Sequence, residues 1–557
     1  MILTEAITLK KILLMMLLVL TMLTSACGDD SSDGNKLKVM LGSNVVSLDT
    51  AQATDLVSFE VIADCIDGLT QLDENGRAIP ALAESFDVSD DGKIYTFHLR
   101  DAKWVNGDDV TADDFVFAWR RHAQKGDEYS YMLGSTVACV KNADAVIKGG
   151  DPTTLGVKAI DPKTFVVELD APVSFFPSLM AFPTFYPINQ KFYDGLAEGT
   201  YGTSPDTYLS NGAFVLKNYM PGAANIQLEK NPSYWDAANV KLDGFSYQVV
   251  SSSDNALTAF KNKTLNVVEI RGNQVENVKN DPELAKALKI IPSGQLQYLS
   301  FNQDPKNHHA GALANANLRL AISNAIDRES LVDNFIMNGS KATYTATPID
   351  FAPNAETGAY FAEDQQRYSD VVGFDVDRAK KYLDAAKSEL GRDAFDLNMI
   401  YANDGGDTVI KVAQAIKSQV EENLPGVVIN LQPMPKAEYL TNVSSNNYDV
   451  ALTNWSPDYN DPMTFLTLWT TDGCEIAEHW SNADYDKLIA DCTTGALAAD
   501  YDGRWRAMYD AEKIVMNHAV IAPLYTNARA VLTGDNVKGI AFQASGIERV
   551  FKSATVE

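Results

Sequence analysis

Two periodicities alternate along the chain. In Lys93–Arg100 (KIYTFHLR), Tyr95, Phe97 and Leu99 share one face of a two-residue repeat, which predicts a half-buried strand. Thr164–Asp170 (TFVVELD) repeats the pattern with Phe165, Val167 and Leu169. Between them, Thr111 followed by Asp113 and Asp114 predicts a helix start, with a capping residue and acids in the first turn. Phe115, Ala118, Trp119 and His122 then recur at helical spacing, so His122 reads as a packed side chain rather than a ligand. Asn317–Ile336 (NLRLAISNAIDRESLVDNFI) and Thr408–Asn423 (TVIKVAQAIKSQVEEN) predict amphipathic helices. Val427–Leu431 (VVINL) and Tyr448–Asn454 (YDVALTN) predict strands. Alternation of this kind over 557 residues predicts an α/β protein of two or three domains.

The first residues break the pattern. Lys10 and Lys11 precede Ile12–Leu23 (ILLMMLLVLTML), an uncharged run too short for the roughly 20 residues of a spanning helix. A basic start, a short apolar core and small residues predict a secretory signal over 1–26. The segment ends Leu23-Thr24-Ser25-Ala26-Cys27, which resembles a bacterial lipobox and implies lipidation of Cys27. The following stretch GDDSSDGN is too poor in apolar residues to fold, so 27–35 is expected to be a tether.

Composition narrows the function. With 46 Lys+Arg against 74 Asp+Glu, the net charge is −28, a field that repels phosphate backbones and argues against nucleic acid as a partner. Cys65, Cys139, Cys474 and Cys492 include no CxxC pair and none has a His at zinc-ligand spacing, so no metal site is expected. Outside the cytoplasm they allow two disulfides in three pairings, of which Cys474–Cys492 is the preferred bridge. The adjacent His308 and His309 stand in a polar segment and read as solvated surface. HExxH, GxSxG, GxGxxG and GxxxxGK[ST] are all missing, so neither an enzyme nor a nucleotide or metal cofactor is indicated.

The stretch AESFDVSDDGKIYTFHLRDAKW (83–104), followed by VNGDDVTADDF (105–115), resembles the signature of bacterial extracellular solute-binding proteins of family 5. Similar segments follow in the family's order: Ser43–Asp49, Asn211–Leu216, Asn231–Trp235, Arg319–Glu329 and Tyr448–Phe465. This is the oligopeptide- and dipeptide-binding family of ABC importers. The resemblance implies a two-lobed, periplasmic-binding-protein type II-like fold with an extra domain inserted in the first lobe. By that analogy 36–62, 185–293 and 526–557 form lobe I, 63–184 the inserted domain, and 295–525 lobe II. It implies a monomer, lipid-anchored to the outer face of the cell membrane or periplasmic in a host with an outer membrane. Its partners would be a peptide ligand, a permease and an ATPase.

Within Tyr448–Phe465, Asp461-Pro462 reads as a helix cap with Pro at the first position. Asp458 has no such duty and lies beyond the carboxyl end of a predicted strand, where open α/β sheets place their ligands. Between Trp455 and Tyr459 it would be partly desolvated, which strengthens a pair with a cation. In oligopeptide-binding relatives the matching aspartate holds the peptide's α-ammonium. Val45, Val46 and Asn454 fall in family segments expected to give main-chain contacts to an added peptide strand, and Tyr525 is expected to line the same cleft. Leu452 and Val443 stand where well-known relatives carry arginines for the peptide carboxylate, which leaves ligand length open. Two other readings compete: a family member carrying a nickel chelate, haem or sugar, and a lipid-anchored cell-wall hydrolase.

Overall fold

A computed structural model gives the fold and describes residues 35–73, 76–126, 129–306, 311–354, 357–364, 366–403, 407–471, 479–544 and 546–557. The expected signal, Cys27, His308, His309 and Cys474 lie outside the described residues. Among these residues no helix is long and apolar enough to cross a membrane.

One eleven-stranded sheet runs through the molecule. Its strand order is Val427–Met434, Phe395–Ala402, Val450–Trp455, Leu288–Phe301, Ile521–Thr533, Val267–Ile270, Lys36–Leu41, Gly244–Val249, Asn225–Lys230 and Phe214–Asn218, with Lys341–Ala342 paired beside 521–533. On one side, Phe395–Ala402 pairs in parallel with both of its neighbours, and the helices Asp407–Asn423 and Lys436–Ser444 make the crossovers that parallel pairing requires. On the other side, Lys36–Leu41 is parallel to Gly244–Val249 and Val267–Ile270, with the helix Ser253–Lys261 between them in sequence. The two central strands, Leu288–Phe301 and Ile521–Thr533, are antiparallel and join these halves.

A separate four-stranded antiparallel sheet contains Ala83–Val88, Ile94–Leu99, Thr164–Glu168 and Val157–Asp161. The expected alternation holds here: Tyr95, Phe97 and Leu99 are 5, 0 and 6% exposed, and Phe165 and Val167 are fully buried. The helix Ala112–Lys125 packs on this sheet, with the Phe115 and Trp119 rings 5.4 and 5.3 Å from Phe165. Thr111 and Asp114 close its first turn in a reciprocal capping box, and His122 is buried among its apolar neighbours.

The helix expected over Asn317–Ile336 is instead three pieces: Ala316–Asn324, Arg328–Leu331 and a wide turn over Val332–Ile336. Asp327 caps the second piece by accepting the Ser330 N–H at 3.0 Å, and two arginines hold the break. Arg328 Nη1 donates to the carbonyls of Ser323 and Ile326 at 3.0 and 3.1 Å, and its Nε donates to Pro523 of a central strand. Arg319 reaches Ala519 at 2.9 Å and Leu313 at 2.6 Å in the same way. Both guanidiniums are buried against carbonyls rather than carboxylates, near a helix end whose dipole favours a cation. Burial pulls their pKa down to about 10 and about 9, so both stay charged at neutral pH.

Removing such a group strands several buried acceptors. Arg328→Met is expected to destabilise the protein by on the order of 3 kcal/mol. Urea unfolding reads this as a lowered midpoint, against the exposed control Arg506→Met, which should stay within about 0.5 kcal/mol of the parent.

Candidate ligand-binding site

The central strand pair changes register between Pro292 and Leu296 and again between Gln297 and Tyr298, the first break being the wider. Pro292 faces Ala528 and Leu296 faces Thr526, so Ser293, Gly294 and Gln295 stand opposite Asn527 alone. Gly294 has φ +65°, and a Cβ there would lie 2.3 Å from the Ala544 carbonyl, so only glycine fits. Ser293 Oγ donates to the Asn527 carbonyl at 3.0 Å, and the Asn527 amide donates to the Gln295 side chain. Gln295 Nε2 in turn donates to Ser456 Oγ at 2.9 Å. The bulge therefore touches the loop that begins after strand Val450–Trp455.

That loop is held at several points. Thr464 Oγ1 accepts the Asp458 N–H at 3.2 Å. Asp461 accepts the Met463 N–H at 3.0 Å, which leaves Pro462 as the residue preceding the short helix Met463–Leu466. The larger duty of Asp461 is a buried two-point pair with Arg504, at 2.7 and 2.8 Å. Tyr459 stacks on Phe175 with centroids 4.9 Å apart, and Asn460 Nδ2 donates to the Gly76 carbonyl at 2.8 Å. Strand, bulge and ion pair thus press the loop against residues of the 63–184 segment.

Asp458 sits at that junction. Its carboxylate accepts the Tyr131 hydroxyl and a second hydroxyl bond from Tyr129. Burial pushes its pKa up to about 6, and the two tyrosine bonds partly oppose the rise by stabilising the charged form. The result is a half-buried anion with hydroxyls on its flank, an arrangement suited to an organic ammonium.

The other expected residues are distributed as follows. Asn454 is exposed and pairs with Gln297, while Trp455 pairs with Leu296 and its buried Nε1 has no hydrogen-bond partner among the described residues. Val45 is buried at 4% exposure and Val46 is exposed at 63%. Ser58 Oγ accepts the Val46 N–H at 2.9 Å, so that donor is already used within its own half. Asp49 pairs with Arg121 at 2.7 Å and ties this segment to the helix Ala112–Lys125. Tyr525 is placed differently from the expectation: at 6% exposure it packs in the apolar core around Leu299, Leu452 and Leu524 rather than on an open wall. Cys492 is a buried free thiol, as are Cys65 and Cys139. Among the described residues no three His, Cys, Asp or Glu side chains are placed to hold a metal.

Sequence reasoning missed Tyr129, Tyr131, Arg121 and Arg504. Asp458 lies 327 residues from Tyr131, and Asp49 lies 72 from Arg121, separations across which no local pattern links the partners. A carboxyl-detected NMR titration is expected to place the Asp458 midpoint near 6, and Tyr131→Phe should raise it further. A midpoint in the ordinary range near 4 would contradict this description of the site.

Residues 77–475 match the model of the bacterial extracellular solute-binding proteins, family 5. The dipeptide-binding protein of Lactococcus lactis is 31% identical over 96% of both chains. The oligopeptide-binding protein OppA of Bacillus subtilis is 30% identical over 97% of this chain and 98% of its own. The solved structure of Listeria monocytogenes OppA bound to peptide superposes with a TM-score of 0.76 at 32% identity, covering 94% of this chain and 99% of that one. The mixed α/β architecture is therefore the type II-like fold of periplasmic binding proteins, and the chain belongs to family 5 of the bacterial extracellular solute-binding proteins.

Proposed function

We propose that this chain captures oligopeptides outside the cytoplasm, anchored to the membrane through a lipid on Cys27, and delivers them to an ABC permease that a separate ATPase drives. The lobes of this proposal are 36–62, 185–293 and 526–557 on one side and 295–525 on the other, with 63–184 inserted in the first. The register break at Ser293–Gln295 and the separate four-stranded sheet support that division. The peptide would lie in the cleft as an added strand. Asn454 and Trp455 would offer contacts from one lobe and the backbone of Val45 and Val46 from the other, with Tyr525 supporting the floor from within the core.

The observation that carries the reading is Asp458, a half-buried carboxylate with a raised pKa where the 450–466 segment meets Tyr131. An α-ammonium is the one cation every unmodified peptide has, so anchoring it leaves side chains unrestricted. Truncating one member of a buried charge pair costs about 2–5 kcal/mol, or roughly thirtyfold to several thousandfold in affinity. Asp458→Ala should lose that much by titration calorimetry, and acetylating the peptide amine should cost the parent a similar amount. Acetylation should cost the variant little more, since both changes remove one interaction; two losses that simply add would refute the anchor.

The raised pKa adds a pH signature. The ammonium needs Asp458 ionised, so affinity should be flat above the midpoint of about 6 and fall as pH drops through it. The expected loss is roughly tenfold by one unit below the midpoint. Asp458→Asn should bind weakly and show no such slope between pH 7 and 5.

A further inference from the structure

The loop carrying Asp458 also walls a cavity, together with Asp64, Asp67, Leu179, Phe182 and Lys552. Its charged groups are unequally committed. Arg549, another wall residue, binds Glu60 through Nε at 3.1 Å and Nη2 at 2.8 Å, and gives Nη1 to the Met40 carbonyl at 3.0 Å. Lys552 lies over the Tyr234 and Trp235 rings at 4.8 and 4.9 Å and reaches Gln71 Oε1 at 3.3 Å. Both bases are thus engaged.

The acids keep acceptor capacity. Asp67 receives the Tyr234 hydroxyl at 2.7 Å and the Trp235 indole N–H at 2.9 Å, both on Oδ2, which also lies 3.9 Å from Lys552 Nζ. Asp64 meets the Tyr247 hydroxyl through Oδ2 at 2.7 Å. Among the described residues these contacts fall on Oδ2 and leave Oδ1 of each carboxyl for another donor. The Tyr247 oxygen also lies 2.8 Å from Glu60 Oε1, and one hydroxyl proton cannot serve two carboxylates. The chain is complete when Asp64 holds a proton, donates it to Tyr247, and Tyr247 donates to Glu60. Burial, and next the charge of Glu60, push the Asp64 pKa well up in the same sense.

We propose that this cavity is a subsite for a basic side chain, the ammonium of lysine or guanidinium of arginine on the peptide's first residue. Asp64 and Asp67 are its acceptors, and Leu179 and Phe182 flank its methylene stem. This rests on the peptide reading above and deepens it. Because Asp458 both anchors the α-ammonium and walls the cavity, the side chain beside that ammonium is the one that enters. A carboxylate side chain is disfavoured because Arg549 and Lys552 are already engaged. As the cation enters, the Asp64 proton passes to the buffer and the cation replaces it as the neutralising partner. The charged or titratable groups around the site are Glu60, Asp67, Asp458, Arg549 and Lys552, the Cys65 thiol, and the hydroxyls of Tyr186, Tyr234, Tyr247 and Tyr459.

Calorimetry with the whole processed chain and three pentapeptides tests this: lysine, norleucine or alanine first, with alanines following and a lysine second in the third peptide. The lysine-first peptide should bind at least about tenfold more tightly than the norleucine-first one, with no such gain for lysine second. Asp64→Asn, which exchanges a neutral acid for a neutral amide, should lose most of the preference for lysine over norleucine. In the parent alone, buffers of differing ionisation enthalpy should show about one proton released with lysine first and none with norleucine first. Equal binding of lysine- and norleucine-first peptides, an undiminished preference in the variant, or no proton release overturns the subsite while leaving the peptide reading intact. If none of the peptides binds, both readings fall together.

Discussion

The structure depends on two strands that belong to both halves of the molecule. Leu288–Phe301 and Ile521–Thr533 pair with each other along their length, yet their outer partners change from Val450–Trp455 at one end to Val267–Ile270 at the other. Each half has its own crossovers and an apolar cluster of its own, a third and larger cluster runs from Val39 to Phe465 across both, and the sheet itself passes between them as a two-strand ribbon interrupted by a bulge. A ribbon can twist at such a bulge, because the residues there are bonded through side chains rather than through a continuous ladder. The same bulge contacts Ser456, so the loop carrying Asp458 is placed by the element about which the halves would turn.

The electrostatics follow from that placement. Asp461 lies in the same loop and is matched by Arg504 at two points, which fixes the loop. Among the described residues the Asp458 carboxylate has only hydroxyl partners, and burial raises its pKa where no cation offsets it. Asp64 repeats the logic within the neighbouring cavity, where Arg549 is matched to Glu60 and Asp64 is left to share a tyrosine. In both places a committed ion pair supports an uncommitted carboxyl, a pattern well suited to cationic ligand groups.

How much of this was legible in the sequence varied with burial. Strands with one wet face, such as Ile94–Leu99, announced themselves by alternation. Ile521–Thr533 is buried on nearly every residue, so it has no alternation, and the side of Tyr525 could not be read from its neighbours. The break within Asn317–Ile336 was hidden because Arg319 and Arg328 look like solvent-facing residues in a helical pattern, whereas they are plugged into carbonyls. Asp458 was legible as a candidate from its place after a strand and from the motif around it. Its tyrosine partners were not, because they lie in another part of the chain with no periodicity of their own.

The central claim is that two halves on a bulged ribbon close around a peptide held by its free amine. Small-angle scattering on peptide-free protein, before and after saturation with one peptide in free and acetylated forms, addresses it most directly. A reduced radius of gyration with the free amine, and a smaller reduction or none with the acetylated form at equal concentration, is the result this account predicts. An unchanged radius at proven saturation with the free peptide would contradict it.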